Sequence, residues 1–222
     1  MAGRAEFLDN IRHRTRTGKY KPTQSPDVAW TPKEEPQESP WVEDPPARFL
    51  EELDALGGHG VRVATLGEAR EYVLELARER GAKRLVRWDV EELEEMAVDG
   101  PLGEAGVEVA VWRDLEDFRG VASRADIGRS TAAWAIAETG SLVIEGGPGR
   151  GRTVTLLPPT HVAVVPVERM LRTVPEAIGT YSGGALPANV TFHTGPSRSG
   201  DIEMNIFVGM HGPGDVHVVL VG

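Results

Sequence analysis

The order in which hydrophobic patterns change along the chain constrains the fold most strongly. Patterns typical of helices and strands alternate here, with helices at Arg48–Leu56, Gly67–Arg80 and Asp89–Ala97 and strands at Val61–Thr65, Arg84–Trp88 and Val107–Trp112. Such alternation is the signature of βαβ units and a largely parallel sheet. The sequence therefore predicts an α/β fold, an open sheet flanked by helices.

The second half of the chain has a different pattern. Residues 120–222 contain 16 of the 26 glycines. Between the glycines, runs rich in Val, Ile and Thr predict strands at Ser141–Glu145, Thr153–Leu157, His161–Pro166, Asn189–His193, Asn205–Met210 and Val216–Val221, and Glu168–Tyr181 predicts a helix. Close-set strands joined by tight turns indicate a hairpin-rich C-terminal portion of the same domain.

Proline marks the boundary of that domain. Seven of the 16 prolines fall in residues 21–46, which show neither a helical nor a strand period. We therefore predict an N-terminal helix and a proline-rich extended arm over residues 1–48, and one α/β domain over residues 49–222. Trp30 and Trp41 suggest that the arm docks on a partner; the alternative is a frayed terminus.

Composition excludes several classes of function. The chain has no cysteine, so its own thiolates cannot form disulfides, zinc–thiolate sites or iron–sulfur clusters. Its 24 basic and 34 acidic residues give a net charge of −10, which disfavours binding to nucleic acid. An apolar run near 18 residues is also missing from the sequence. We expect a cytoplasmic protein that neither binds nucleic acid nor spans a membrane.

A glycine-rich segment at residues 146–153 resembles a phosphate-binding P-loop that has Arg152 in place of the lysine. A P-loop needs a following helix whose amides face phosphate, whereas Thr153–Leu157 is β-branched and strand-like. We therefore interpret the segment as a hairpin turn. A weaker possibility is that Arg150 and Arg152 contact an anion.

Two acidic segments carry candidate site residues. Glu138 is flanked by alanines and could be a partly desolvated base or nucleophile, or it could pair with Arg129 or Arg124. The segment GPSRSGDIE at residues 195–203 follows a predicted strand, where ligand-facing groups are common in α/β sheets. Its serines could instead cap a helical turn.

Four of the six histidines fall after residue 160, and none has the spacing of a helical metal motif. We therefore predict no metal site. His161 and His211 lie at predicted strand–turn junctions, where a histidine is more often hydrogen-bonded and structural than catalytic.

Five segments, taken together, resemble the LUD-domain family of lactate-utilisation C proteins: ADIG at 125–128, AETGSL at 137–142, LLPPTH at 156–161, GPSRSGDIE at 195–203 and GMHGP at 209–213. They occur in the family's order. Ser199 and Gly200 replace the family's usual threonine and alanine.

The resemblance implies a fold similar to the NagB/RpiA/CoA-transferase-like group, and a role in oxidising L-lactate to pyruvate. It implies a non-redox subunit that works with iron–sulfur partner proteins, with no cofactor in this chain and a small carboxylate as ligand. By the same resemblance the catalytic candidates are Glu138, Asp201 and Glu203. The substrate-binding candidates are Thr139, Gly140, His161, Ser197, Arg198 and His211.

Two alternatives stay open. The chain could be a stand-alone enzyme, similar to a CoA transferase or a sugar-phosphate isomerase, that uses Glu138. It could also be an assembly factor whose pocket binds nothing. Related folds host many chemistries, so the fold alone does not choose among these functions.

Overall fold

A computed structural model describes residues 43–184, 186–200 and 206–222. Its helices are α1 (Pro45–Ala55), α2 (Leu66–Glu79), α3 (Glu91–Glu95), α4 (Asp99–Glu104), α5 (Phe118–Arg124), α6 (Arg152–Leu156) and α7 (Val174–Gly179). Its strands are β1 (His59–Val63), β2 (Arg84–Arg87), β3 (Glu108–Val111), β4 (Ile127–Ser130), β5 (Trp134–Ile136), β6 (Ser141–Gly146), β7 (Thr160–Pro166), β8 (Met170–Leu171), β9 (Asn189–Thr194), β10 (Arg198–Gly200), β11 (Ile206–Val208) and β12 (Asp215–Val221). Residues 1–42, which include most of the predicted arm with Trp30 and Trp41, lie outside the described residues. None of the helices described has the length and apolar character needed to cross a membrane.

The main sheet confirms the predicted α/β fold. Its six strands lie in the order β1-β12-β7-β4-β2-β3, and each neighbouring pair is parallel. From β2 the chain passes to the edge strand β3. It then crosses back to β4 on the other side of β2 and continues in that direction with β7 and β12. The carboxyl ends of β2 and β4 therefore flank the point where the direction of winding reverses, the usual position of a ligand crevice in open α/β sheets.

Part of the predicted hairpin-rich portion forms a second sheet with the order β8-β5-β6-β9, whereas its strands β7 and β12 belong to the main parallel sheet. The pairs β5–β6 and β6–β9 are antiparallel, whereas β5–β8 is parallel. A separate antiparallel pair joins β10 to β11. Short antiparallel strands need only tight turns, which is why glycine is concentrated in this half of the chain.

Helices cover both faces of the main sheet. Successive side chains of a strand point to opposite faces, so His161 and Val162 of β7 lie on different sides. On one side the Tyr72 hydroxyl of α2 contacts His217, the register partner of Val162. On the other side α6 packs against Gly128, the register partner of His161, where a Cβ would lie 1.9 Å from the Val154 carbonyl oxygen.

A continuous apolar core lies between the layers. Its fully buried large side chains are Phe49 and Leu53 of α1, Leu85, Trp88, Leu93, Leu102, Ile127, Leu142, Ile144 and Leu220. They come from both sheets and from several helices, α1 among them, so burial of apolar surface ties the first helix to the rest of the fold.

The first helix begins at Pro45, three residues before its predicted start at Arg48. Asp44 is its N-cap, and its Oδ1 accepts a hydrogen bond from the Ala47 amide at 3.2 Å. Pro45 and Pro46 occupy the first turn, where a missing N–H costs nothing. Two prolines that the sequence pattern assigned to the arm therefore start the helix.

The predicted strand Thr153–Leu157 is wrong, and so is the hairpin it would close. Residues Arg152–Leu156 form α6, with Val154 and Thr155 buried. β-branched residues disfavour a helix only weakly, and packing against Gly128 outweighs that preference.

The predicted helix Glu168–Tyr181 is much shorter than expected. Only Val174–Gly179 is α-helical, and Met170–Leu171 pairs with β5. Thr173 and Glu176 form a capping box and Pro175 lies in the first turn, so the helix starts there.

Candidate functional site

Two of the predicted segments meet at the C-terminal half of α1. Gly140 has a φ of +60°, and a Cβ at this position would lie 2.6 Å from the Leu53 amide nitrogen. Arg198 donates a hydrogen bond through Nη2 to the carbonyl oxygen of Leu56. This carbonyl lies at the end of the helix, where carbonyl groups have no partner within the helix. The helix therefore brings residues from the two segments close together, one turn apart.

Hydroxyl groups connect Thr139 to the second sheet. The Thr139 hydroxyl donates to Ser141 Oγ at 2.8 Å, and Ser141 Oγ lies 2.7 Å from Thr194 Oγ1. Ser141 and Thr194 are register partners on β6 and β9. Thr139 therefore contributes to the contact between these strands.

The loop that contains Ser197 pairs with the loop that contains His211. The Ser197 amide donates to the Pro213 carbonyl at 2.9 Å, and the Ser197 carbonyl accepts from the Gly209 amide at 2.8 Å. The His211 side chain is exposed. Asp201 and Glu203, two of the predicted catalytic residues, lie outside the described residues.

Glu138 contacts the start of a helix. Its Oε1 accepts a hydrogen bond of 2.6 Å from the amide of Val174, the first residue of α7. A carboxylate is stabilised there by the unpaired amides and by the helix dipole. Arg129, one of the two partners considered for Glu138, pairs instead with Asp99.

His161 is completely buried between the two sheets. Its Nε2 lies 2.8 Å from Ser130 Oγ, and its ring contacts the His193 ring edge-on at 5.9 Å. Burial, with a smaller contribution from His193 and His217, lowers the pKa of His161 to about 3. Burial likewise lowers the pKa of His193 to about 4. Both imidazoles are therefore neutral at physiological pH, and His161 can exchange a hydrogen bond with Ser130 but carries no charge.

A buried ion group that sequence reasoning missed lies at the carboxyl ends of β2 and β4. Asp99 accepts from Arg87 Nε at 2.7 Å and from Arg129 Nη2 at 2.9 Å. The Arg129 side chain has no exposed surface, and burial lowers its pKa to about 10 although Asp99 opposes the shift. Its Nε and Nη1 have no hydrogen-bond partner within the part of the chain that the structure describes. This charged group lies where the direction of winding reverses.

The glycine-rich loop closes over the same edge. The Gly151 carbonyl accepts from Trp88 Nε1 at 2.9 Å, and a Cβ on Gly151 would lie 2.1 Å from the Trp112 ring. Arg150 lies 3.6 Å from Glu145 Oε2, so a carboxylate of the protein already faces it. The loop covers two tryptophans and thus serves packing, which does not support the anion interpretation.

A cavity of about 320 Å³ opens at the carboxyl ends of β1, β12 and β7. Three carboxylates line it, those of Glu92, Glu95 and Glu168. Arg169 beside it is held by Glu92 and by the Ala132 carbonyl oxygen. None of the predicted site residues lines this cavity.

One cluster of possible metal ligands lies at the opposite, amino-terminal edge of the sheet. His59, Asp215 and His217 each offer one ligand atom, and the three atoms lie within 4.8 Å of one another. The sequence offered no signal for this cluster, because His59 is more than 150 residues from the other two.

Comparison with known proteins identifies the family. The family model described as the LUD domain matches residues 46–221. A protein of Halalkalibacterium halodurans, named Lactate utilization protein C, is 38% identical over 159 residues, which are 68% of this chain and 67% of that protein. A protein of the same name from an Exiguobacterium species is 46% identical over 112 residues, 48% of each chain. The chain thus spans about half to two thirds of the length of these relatives.

A solved structure supports the fold. The crystal structure of a DUF162 family protein from Deinococcus radiodurans aligns with a TM-score of 0.53 and 22% identity, over 79% of this chain and 95% of that one. At this identity the likeness concerns the fold alone, and it agrees with the parallel sheet described above. Because the family model covers almost all of the residues that form this fold, the chain belongs to the LUD domain family.

Proposed function

We propose that this chain is a non-redox component of a system that oxidises L-lactate to pyruvate and works with iron–sulfur partner proteins. The observation that carries the proposal is its membership of the LUD family, with relatives named Lactate utilization protein C that are 38% and 46% identical. The resemblance of its motifs to that family supports the same function.

The absence of cysteine supports the assignment of electron transfer to partner proteins. Oxidation of lactate to pyruvate removes two electrons and two protons from the hydroxyl-bearing carbon and its oxygen. Iron–sulfur clusters that accept electrons are held by cysteine thiolates, and these 222 residues contain no cysteine. The clusters therefore belong to partner proteins, and this chain contributes to binding the substrate or to organising the complex.

The contacts of the predicted site residues favour an organising role over a stand-alone enzyme that uses Glu138. The Glu138 carboxylate is hydrogen-bonded to the start of α7, and Gly140 and Arg198 tie two loops to α1.

Arg198 can also bind a small carboxylate. A guanidinium has five N–H donors, so the bond from Arg198 to the helix leaves donors for a ligand such as lactate. Arg198 is exposed and can reach such a ligand.

The test is a reconstitution of lactate-dependent dye reduction. The full chain is purified and mixed with iron–sulfur lactate-utilisation proteins from the same organism, and reduction of an artificial electron acceptor by L-lactate is followed with and without this chain. We expect activity only in the complete mixture, and no dye reduction by the chain alone.

Full activity of the iron–sulfur proteins without this chain would contradict the proposal. Turnover of an acyl-CoA or a sugar phosphate by the isolated chain would favour the stand-alone enzyme. Mixtures with D-lactate or glycolate in place of L-lactate show whether the system distinguishes substrates.

A further inference from the structure

The first and last strands of the main sheet place three possible metal ligands together. β1 pairs with β12 in parallel, with His59 opposite His217. Asp215 lies two residues before His217 on β12, so its side chain is on the same face of the sheet. Residues from distant parts of the sequence thus meet because of the strand register.

The distances between the ligand atoms suit a single ion. Asp215 Oδ1 lies 3.5 Å from His59 Nε2 and 3.1 Å from His217 Nε2. Ligands bound at about 2.0–2.1 Å around a tetrahedral zinc ion lie roughly 3.3 Å apart. Two imidazoles and one carboxylate are also a ligand set typical of borderline divalent metals.

The environment of His217 points to a ligand. Its side chain is 7% exposed, and its buried Nε2 has no hydrogen-bond partner among the described residues, although Asp215 is near. Asp215 Oδ1 lies 3.1 Å from this nitrogen, a separation that fits two neighbouring ligands of one ion. Tyr72 contacts the other ring nitrogen, Nδ1, at 2.8 Å, and such an outer contact fixes the ring of a metal-binding histidine.

Asp215 is arranged to leave one oxygen for an ion. Its Oδ2 forms an ion pair with Arg80 Nη2 at 2.8 Å and accepts a hydrogen bond from Thr160 Oγ1 at 3.3 Å. These contacts hold the carboxylate with Oδ1 facing both imidazoles. The His59 side chain is 56% exposed, so solvent reaches the site and water can complete the coordination.

We propose that His59, Asp215 and His217 bind one divalent ion of the zinc class, which joins β1 to β12. The site lies at the amino-terminal edge of the parallel strands, whereas ligands of α/β sheets bind at the carboxyl-terminal edge. The ion therefore stabilises the edge strand and takes no part in lactate oxidation. This inference is independent of the proposed function.

The test is direct metal binding by the full chain after treatment with a chelator. Zn²⁺ is titrated by calorimetry, and Co²⁺ is added as a spectroscopic probe of tetrahedral coordination. We expect one ion per chain and a rise in melting temperature on addition of Zn²⁺. His59→Ala should weaken binding by about 100-fold and abolish the rise in melting temperature, because one of three ligands is lost.

Two further variants make the result specific. His211→Ala removes another exposed histidine and should leave the affinity unchanged. Tyr72→Phe should weaken binding by about 10-fold, because it removes only the outer contact.

Absence of binding to the original chain, or equal affinity in the original chain and His59→Ala, would overturn the proposal. Since His59 is half-exposed, its variant is expected to fold, and circular dichroism checks that it does.

Discussion

At the scale of single residues, burial decides what the histidines can do. His161 was a candidate ligand-binding residue, and the structure places it in the interior against Ser130. Its pKa of about 3 keeps the ring uncharged, so the residue acts as a neutral hydrogen-bonding group.

Acid should therefore destabilise the fold through His161. The pKa of an unfolded histidine is about 6.5, so the unfolded chain binds more protons as pH falls below that value. Stability that is present above pH 6.5 is lost as pH falls toward the folded pKa of about 3. Between pH 6.5 and pH 4.5 we expect His161 to reduce the free energy of unfolding by about 2 kcal/mol.

Urea unfolding at several pH values measures this effect. Glutamine does not titrate. Between pH 6.5 and pH 4.5 the free energy of unfolding of His161→Gln should therefore fall by about 2 kcal/mol less than that of the original chain. His211→Gln, which removes an exposed imidazole, is the matched control. An identical pH dependence in the original chain and in His161→Gln would contradict the assignment.

Gly140 is required by the backbone and by the neighbouring helix. Alanine is strained at a φ of +60°, and its Cβ would come within 2.6 Å of the Leu53 amide. Gly140→Ala should lower the free energy of unfolding by about 1–3 kcal/mol, measured by urea unfolding. Gly103→Ala in α4 is the control, since nothing lies within 4 Å of its Cβ. Equal stability of the two variants would show that α1 does not depend on Gly140.

At the scale of secondary-structure elements, Asp99 at the start of α4 joins β2 to β4 through two buried arginines. Among the described residues Asp99 is the only anion paired with Arg129, whereas Arg87 also lies 3.8 Å from Glu94. Removing the only anion that a buried cation contacts costs several kcal/mol, whereas an exposed pair contributes little. Asp99→Ala should therefore destabilise the fold by about 3 kcal/mol. Glu71→Ala, which removes the exposed partner of Arg70, should change stability by less than about 0.5 kcal/mol.

A double variant separates the charge from the packing. Arg129→Met in the Asp99→Ala background removes one uncompensated buried charge and should recover part of the lost stability in urea unfolding. If the double variant were less stable than Asp99→Ala, the arginine would matter for its packing alone.

The helices and strands show which elements the sequence could predict. The alternation from α1 to β3, apart from the short α4, was predicted because apolar periodicity is strong where one face of each element is buried. The strand assigned to Thr153–Leu157 failed because a β-branched run is equally compatible with a short buried helix, and packing on Gly128 selects the helix. The short strand β4 has few residues to show a period, and its Arg129 is polar although it is buried.

At the scale of the whole molecule, the boundary of the domain can be tested. Asp44 caps α1, so a chain that begins at residue 43 keeps the cap and loses the predicted arm. We expect this truncation to unfold at the same urea concentration as the full chain, and to bind the proposed iron–sulfur partners more weakly in a pull-down. A truncation that starts at residue 49 should be unstable, because it removes the first turn of α1. Equal partner binding by the chain from residue 43 would show that the arm has no role in assembly.

The candidate site was only partly accessible to sequence reasoning. The motifs that carry Gly140 and Arg198 were found because they are contiguous, and the structure brings them together at α1. The ion group around Asp99 and the cluster of His59, Asp215 and His217 could not be found in this way. Their members come from separate elements, and only the sheet order makes them neighbours.

The pairing of β1 with β12 also has a consequence during synthesis. Within the described sheet, β1 lies at the edge and pairs with β12 alone, and the register partners His59 and His217 are 158 residues apart in sequence. At a translation rate of about 5–20 residues per second, β1 is synthesised roughly 8–32 s before its partner strand. During that interval its backbone amides and carbonyls are available to other nascent chains, so the yield of folded protein should depend on chaperones that bind extended segments.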